Sequence, residues 1–313
     1  MIDSVASRDN VRNKSGLDGL IAAIVVYNGE KWYRACLQSL LAAGLSAENI
    51  VVVENASTDN TADRIAEEFP DVLLRRMPKN LGAGGGCNEA LRIALEKGAA
   101  NILLLNIDVT VAPDMPRRLL EAARKNSEYG ILSPVQYGYS GDKLDENFAR
   151  MHPPEQVFSA RGIIDAETVI GAGVLLTRRM VETVGGFDET YFIYGEEDDL
   201  CRRARWHGFK IGVVPGANLR HWHMAINASP NPRIRRLRFR NQFLYMLKDP
   251  THSLPRHFYY YLRYYVWRRL RAAARQHDWQ SLAEIPMVQF SLLARGHGIL
   301  ANRRREREGR WHL

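Results

Sequence analysis

Leu103-Leu104-Leu105-Asn106-Ile107-Asp108-Val109 is the stretch that decides the fold. Its apolar side chains predict a short, fully buried strand, and Asn106 and Asp108 interrupt it near its end. Strand residues two apart point the same way, so these two polar groups are expected on one face. A carboxylate at the carboxyl end of a buried parallel strand sits where open α/β sheets bind their ligands. There it can hold a divalent cation, and the cation a pyrophosphate. Taken alone, the stretch reads equally well as a strand stopping in a polar turn that Asp108 caps. The flanking segments decide between the two.

Upstream, Leu20–Val26 is another apolar run, ending at Tyr27-Asn28-Gly29. Glu30–Ala43 follows with helical spacing and closes at Gly44. Ile50–Val53 predicts a second strand, and the turn-forming cluster Glu54–Thr61 leads into a helix over Ala62–Phe69. Val72–Leu74 is a third strand. Lys79–Gly86 reads as a glycine-rich loop opening the helix Cys87–Lys97. Strand and helix alternating in this rhythm imply an α/β chain with a mostly parallel, doubly wound nucleotide-binding sheet flanked by helices. The glycine run lacks the lysine and hydroxyl residue of a P-loop. It reads either as a close-packed helix start or as a phosphate-side turn.

Downstream, Met115–Lys125 predicts a helix, Ile131–Pro134 a strand, and Gly138–Gln156 an irregular polar loop. Val169–Leu176 is a strand with glycines at its centre, where another backbone or a ligand can approach closely. Arg178–Val184 is a short helix, turned by Gly185-Gly186-Phe187-Asp188. Glu196-Glu197-Asp198-Asp199 then opens a helical segment, Leu200–Trp206. Four consecutive carboxylates suit a helix N-terminus with Arg202, Arg203 and Arg205 close by; equally, one can serve as a general base. His221 and His223 lie two apart after the strand Ile211–Val214. They read as a surface pair or, combined with Asp108, as a source of a further metal ligand.

The 313 residues are 46% hydrophobic and 25% charged, an ordinary globular balance. No apolar run reaches the ~18–20 residues of a membrane span. Residues 1–18 are polar, so a cytoplasmic protein is expected. Cys36, Cys87 and Cys201 lack metal-type spacing and read as reduced thiols. The net charge of +8 is unevenly placed: residues 233–313 hold 18 Arg or Lys against 5 Asp or Glu, so that segment carries +13 and the remainder −5. Such asymmetry points to an anionic partner for the C-terminal segment.

Together, Val25-Val26-Tyr27-Asn28, Glu54-Asn55-Ala56-Ser57-Thr58-Asp59, Asn80-Leu81-Gly82, Leu105-Asn106-Ile107-Asp108, Gly185-Gly186-Phe187-Asp188-Glu189, Glu196-Glu197-Asp198-Asp199-Leu200 and His221 occur in a recognisable order. The chain resembles the inverting family 2 glycosyltransferases of GT-A fold, and most of all rhamnosyltransferase-like bacterial enzymes that build cell-surface glycans. The resemblance spans roughly residues 20–250 and includes Arg240-Asn241-Gln242-Phe243 and Lys248. It implies a metal-dependent transfer of a sugar from a nucleotide-diphosphate donor to a glycan or lipid-linked glycan hydroxyl. dTDP-rhamnose leads among donors, ahead of UDP-galactofuranose, other UDP-hexoses and GDP-mannose. A sugar-nucleotide-binding partner protein without catalysis is the alternative.

By the same resemblance, Asp108 would ligate Mg²⁺ or Mn²⁺, and Asn106 would touch the ribose or a metal-bound water. Glu54 stands where the family has an aspartate that reads the base. Tyr27 and Asn80 would line the nucleoside pocket. His221 matches the later metal-ligand histidine, with His223 as the fallback. The family pattern Glu-Asp-x-Asp-Leu aligns on Asp199-Leu200, which puts Glu197 at the base position, with Asp198 the fallback. Glu196 and Asp199 would lie on the acceptor side.

The expected organisation is a flexible N-terminus over 1–17, a GT-A domain over 18–232 and a helical, basic and aromatic region over 233–313. The run His257–Arg269 spreads its aromatics around most of an α-helical wheel, and Arg303-Arg304-Arg305 adds a second basic cluster. An anionic membrane surface, reached from the cytoplasmic face, is the expected partner of this region. A second copy of the chain comes next, and nucleic acid is not expected.

Overall fold

Leu20–Val26 (β1) shows how the alternation of one strand divides the core. Leu20, Ala22, Ile24 and Val26 face one hydrophobic cluster, whereas Ile21 and Ala23 face a second. Asn101–Asn106 (β4) repeats the division, with Leu103 and Leu105 on the first side and Ile102 and Leu104 on the other. A strand that is apolar on both faces must be covered on both, and helices do so here. The computed structural model describes residues 16–222, 232–249, 253–275 and 279–294, with 298, 300, 301, 304 and 305.

Among these residues one nine-stranded sheet runs through the molecule. Its remaining strands are β2 (Ile50–Glu54), β3 (Leu73–Arg76), β5 (Val109–Val111), β6 (Tyr129–Tyr137), β7 (Ile164–Asp165), β8 (Gly173–Thr177) and β9 (Lys210–His221). The order is β3-β2-β1-β4-β8-β6-β9-β5, with β7 also on β9. The block β3-β2-β1-β4 is entirely parallel. Beyond it the sheet is mixed: β8 runs antiparallel to β4 and β6, β9 pairs parallel with β6, and β5 is an antiparallel edge on β9.

The helices α1 (Tyr33–Ala42), α2 (Thr61–Glu68) and α4 (Met115–Lys125) cover the first face, while α3 (Gly82–Glu96), α7 (Arg178–Val184) and α8 (Glu196–Trp206) cover the second. Two short helices, α5 (Glu146–Met151) and α6 (Pro154–Ser159), fall where the polar composition predicts an irregular loop. The Asp145 side chain accepts from the Asn147 and Phe148 amides and caps α5. Phe148 and Val157 then bury against Val135, Ile164 and Val213.

The glycine-rich segment is likewise helix from Gly82 onward. Gly82 starts it at φ +79°, and a Cβ there would lie 2.3 Å from the Phe192 carbonyl oxygen. A Cβ at Gly86 would lie 2.6 Å from Val25. These glycines let a helix press against a strand and a neighbouring loop, which outweighs their poor helix propensity.

A C-terminal helical layer completes the described structure: α9 (Pro232–Lys248), α10 (Leu254–Tyr260), a π-helical turn over Tyr261–Val266, α11 (Trp267–Arg275) and α12 (Trp279–Ala294). Phe239, Phe243, Tyr261, Val266, Ile285 and Val288 form its core around Tyr191 of the sheet domain. No helix among the described residues is long and apolar enough to cross a membrane.

Candidate functional site

β4 stops at Asn106, the chain turns at Ile107-Asp108, and β5 begins at Val109. Asn106 and Asp108 therefore do not sit on one continuous strand face. Instead, Val109 pairs with His221 across β5 and β9, which carries Asp108 to the histidine. His221 Nε2 lies 3.6 Å from Asp108 Oδ2, and both residues are buried. The Trp222 amide donates to the Asp108 carbonyl (2.9 Å), fastening the end of β9 beneath the turn. Cys36, on α1, donates to the Asn106 carbonyl (3.8 Å). Burial, and then the Asp108 charge, push its thiol up to about 12, so it stays protonated beside the carboxylate.

A carboxylate oxygen and an imidazole nitrogen this close fit a single cation whose other positions are filled by ligand oxygens and water. Among the described residues no group of three Asp, Glu, His or Cys side chains forms a fuller cage. His223 lies outside the described residues.

The loops after β1 and β2 build the neighbouring wall. Ser57 Oγ accepts from the Asn28 amide (2.9 Å), Asn28 Oδ1 accepts from the Thr58 amide (2.8 Å), and Thr61 Oγ1 accepts from the Gly29 amide (2.8 Å). The buried Glu54 carboxylate accepts from the Ser57 amide inside the same turn. Tyr27 stands at the rim, 43% exposed. Asn80 Oδ1 accepts from the Gly82 amide (2.8 Å) and so shapes the start of α3. Asn55 bolts this wall together: its Nδ2 donates to the Gly82 carbonyl and its Oδ1 accepts from the Leu81 amide, each at 2.9 Å.

The four carboxylates at the start of α8 part company. Asp199 is fully buried and accepts from the Tyr191 hydroxyl (3.0 Å), Arg202 (2.7 Å) and Arg203 (2.8 Å), with Lys248 Nζ at 3.4 Å. It is the centre of an ion network and does not face the opening. Asp198 is exposed and accepts from the Thr168 hydroxyl (2.6 Å).

Glu196 and Glu197 turn the other way, into a small cavity they share with Asn106, Gly171, Cys87 and Cys201. A Cβ on Gly171 would lie 2.6 Å from Glu197 Oε1, so the Glu197 side chain packs directly against the Gly171 backbone and would have to shift for any larger residue there. Burial raises the Glu197 carboxyl to about 7, opposed by the backbone amides at the helix start and reinforced by the Asp198 charge. Burial and then the Glu197 charge hold Glu196 well above the usual range.

Asp108, His221, Asn106 and Glu197 thus gather at one end of the sheet, and Glu54, Asn80 and Tyr27 line the adjoining wall. Asn55 and Trp222 are supporting residues that the sequence does not single out. Asn55 carries a signal in hindsight, since it follows the acidic end of β2 in a turn-rich cluster. Trp222 carries none beyond its neighbours, whereas Gly171 lies in the glycine-centred stretch expected to admit a close approach.

Residues 22–185 match the model of "Glycosyl transferase family 2", and residues 157–225 match "N-terminal domain of galactosyltransferase". The chain is 26% identical over 244 residues to the N-acetylglucosaminyl-diphospho-decaprenol L-rhamnosyltransferase of Mycobacterium tuberculosis, covering 69% of this chain and 79% of the relative. It is 26% identical over 250 residues to the dTDP-rhamnosyl transferase RfbF of Shigella flexneri, covering 74% and 80%. Among solved structures, the mannosyltransferase PcManGT of Pyrobaculum calidifontis, in complex with GDP-Man and Mn²⁺, superposes with a TM-score of 0.54 at 17% identity, over 92% of this chain and 86% of that one.

Proposed function

This chain belongs to glycosyl transferase family 2, with the GT-A fold, and from that premise we propose that it moves L-rhamnose from dTDP-rhamnose to a hydroxyl of a lipid-linked glycan. The transfer inverts the anomeric centre and needs Mg²⁺ or Mn²⁺. It takes place at the cytoplasmic face of a membrane. Glycosyl transfer from a nucleotide sugar follows from the family. The choice of donor and acceptor is supported by the two rhamnosyl-transferring relatives. The observation that carries the mechanism is the meeting of Asp108 and His221 at 3.6 Å, at the sheet end where Glu197 faces Asn106.

Asp108 and His221 would hold the cation, which would supply Lewis-acid stabilisation of the diphosphate's negative charge. Tyr27, Glu54 and Asn80 take the nucleoside, and Asn106 meets the ribose. Glu197 takes the proton from the acceptor hydroxyl. The new bond joins that oxygen to the anomeric carbon, on the face opposite the breaking bond to the diphosphate. A carboxyl with a pKa near the working pH is suited to this work, because it is partly ionised and still basic enough to accept a proton.

Thermal unfolding with dTDP, UDP and GDP, each with and without Mn²⁺ or Mg²⁺, tests the reading. A ligand that binds only the folded chain adds about 2.7 kcal/mol at a hundredfold excess over its Kd. The expected result is a metal-dependent shift with dTDP that Asp108→Ala abolishes. A shift with UDP or GDP alone would replace the donor, and a metal-independent shift would overturn the cation site.

A further inference from the structure

The C-terminal helical layer has two unlike faces. Tyr261 and Val266, on the π turn, are buried against Phe243, Ile285 and Val288, and the Tyr261 and Phe243 rings lie 3.8 Å apart. The other side exposes Tyr259, Tyr264 and Trp267, at 59%, 56% and 47%. Arg256, Arg263, Arg268, Arg271 and Arg275 are exposed with them. From Pro250 to His277 the sequence holds six arginines and no Asp or Glu.

Tyr259, Arg263, Trp267 and Arg271 line one shallow surface hollow. In an α-helix a four-residue spacing drifts by about 40° each step. The π turn over Tyr261–Val266 fits more residues into each turn and offsets that drift, so the four side chains stay in register. The Arg271 guanidinium lies 4.9 Å from the Trp267 ring, and Arg263 lies 5.9 Å from the Tyr264 ring. The cations are therefore held at the level of the rings.

We propose that this row of aromatic and arginine side chains on α10, the π turn and α11 docks the protein on an anionic phospholipid surface. Tyrosine and tryptophan settle at headgroup depth, and arginines there meet lipid phosphates. Charge complementarity selects an anionic partner. The apolar side chains favour lipid over nucleic acid: the neighbouring helix α12 also exposes Met287 and Phe290, at 55% and 75%, which a phosphate backbone would leave unsatisfied. The inference deepens the proposed lipid-linked acceptor and rests on it for its purpose, since docking brings the site to a substrate confined to the membrane.

The test is flotation of the full-length protein with vesicles of phosphatidylcholine alone and of phosphatidylcholine mixed equally with phosphatidylglycerol. Two double variants accompany it, Tyr264→Ser with Trp267→Ser and Arg263→Gln with Arg271→Gln. Wild type should float with the anionic vesicles only. Removing two arginines at the surface should weaken binding roughly thirtyfold, and added salt should do the same progressively. The metal-dependent nucleotide shift should be unchanged in both variants. That shift reads the transfer site separately, so its failure in wild type would count against the proposed function and not against the docking face. Absence of flotation, equal binding to neutral vesicles, variants that bind as wild type, or displacement by DNA at equal phosphate concentration would each overturn the proposal. So would a soluble dimer that the variants dissociate.

Discussion

Burial raises the Glu197 carboxyl to about 7, and the proposed base acts only when ionised. Turnover is therefore expected to climb as pH rises through 7, with that acidic limb missing from the residual rate of Glu197→Gln. The same variant should lose about 10²–10⁴ in kcat while keeping the nucleotide-induced thermal shift. The stability effect runs the opposite way to the rate. Between about 4.5 and 7 the folded chain keeps a proton that the unfolded chain has released, so this group costs stability as pH rises and costs it fully above 7. Glu197→Gln should accordingly melt higher than wild type at pH 8 and near it at pH 4; a lower melting temperature at pH 8 would count against the buried, raised carboxyl. His221→Ala should remove the metal dependence of nucleotide binding without moving this pH profile, since the imidazole and Glu197 have separate tasks. At this scale the sequence singles out Asp108 and His221, which the structure brings within 3.6 Å of each other, and Glu197, which it places beside Asn106; the tasks of all three are proposals. The glycines of Val169–Leu176 announce a close approach, but not its partner: the neighbour of Gly171 is a carboxyl 26 residues further on.

Secondary structure was legible wherever the apolar period was clean. β1, β2 and β4 lie where the apolar runs place them, and α1, α4 and α7 follow the helical spacing. Departures occur where tertiary contacts outweigh local propensity. Gly82–Gly86 reads as a loop from composition, yet Val25, Asn55 and Phe192 press so closely on it that glycine is what lets the helix begin there. Gly82→Ala and Gly98→Ala separate the two costs involved. Both glycines have positive φ, +79° and +83°, but a Cβ on Gly98 meets open space. Gly98→Ala should lose only the left-handed penalty, about 1–2 kcal/mol. Gly82→Ala adds a clash with a backbone oxygen and should lose more, on the order of 3 kcal/mol or above. Denaturant unfolding of the two variants checks the difference, and equal losses would mean that the Phe192 loop yields. The π turn is the other departure. A wheel drawn at the α period scatters the aromatics of residues 257–269 around the axis, and no local signal marks the π turn that keeps Tyr259, Arg263, Trp267 and Arg271 along one hollow while Tyr261 is buried on the other side.

Across the whole molecule, the C-terminal layer is tied to the acidic helix by buried polar contacts. Lys248, at the end of α9, pairs with Asp188 and approaches Asp199 at 3.4 Å, all three fully buried or nearly so. Asn241 Nδ2 lies 2.9, 2.7 and 2.7 Å from the carbonyls of Tyr191, Ile193 and Tyr194. Those residues lead directly into Gly195 and the first turn of α8, and Phe192 and Tyr194 both hold positive φ. The loop that aims Glu196 and Glu197 is thus held from the side of the chain richest in positive charge, which a division of the sequence at residue 232 does not reveal. Breaking a buried pair leaves an uncompensated charge and typically costs about 3–5 kcal/mol. Lys248→Met should therefore destabilise the entire chain by that amount. Asn241→Ala should cost less, about 1–3 kcal/mol, because the Ile193 and Tyr194 carbonyls lose this donor while the buried Arg240 guanidinium, which loses the Asn241 Oδ1 acceptor, keeps the Thr190 and Tyr191 carbonyls. The informative result is the comparison of kcat at a temperature where both variants remain folded. If the layer positions the acidic turn, Asn241→Ala should lower kcat out of proportion to its modest stability loss, while the metal-dependent nucleotide shift, read at Asp108 and His221, is preserved. A kcat equal to wild type would mean that the strained loop keeps its shape unaided and that the layer serves only stability and docking.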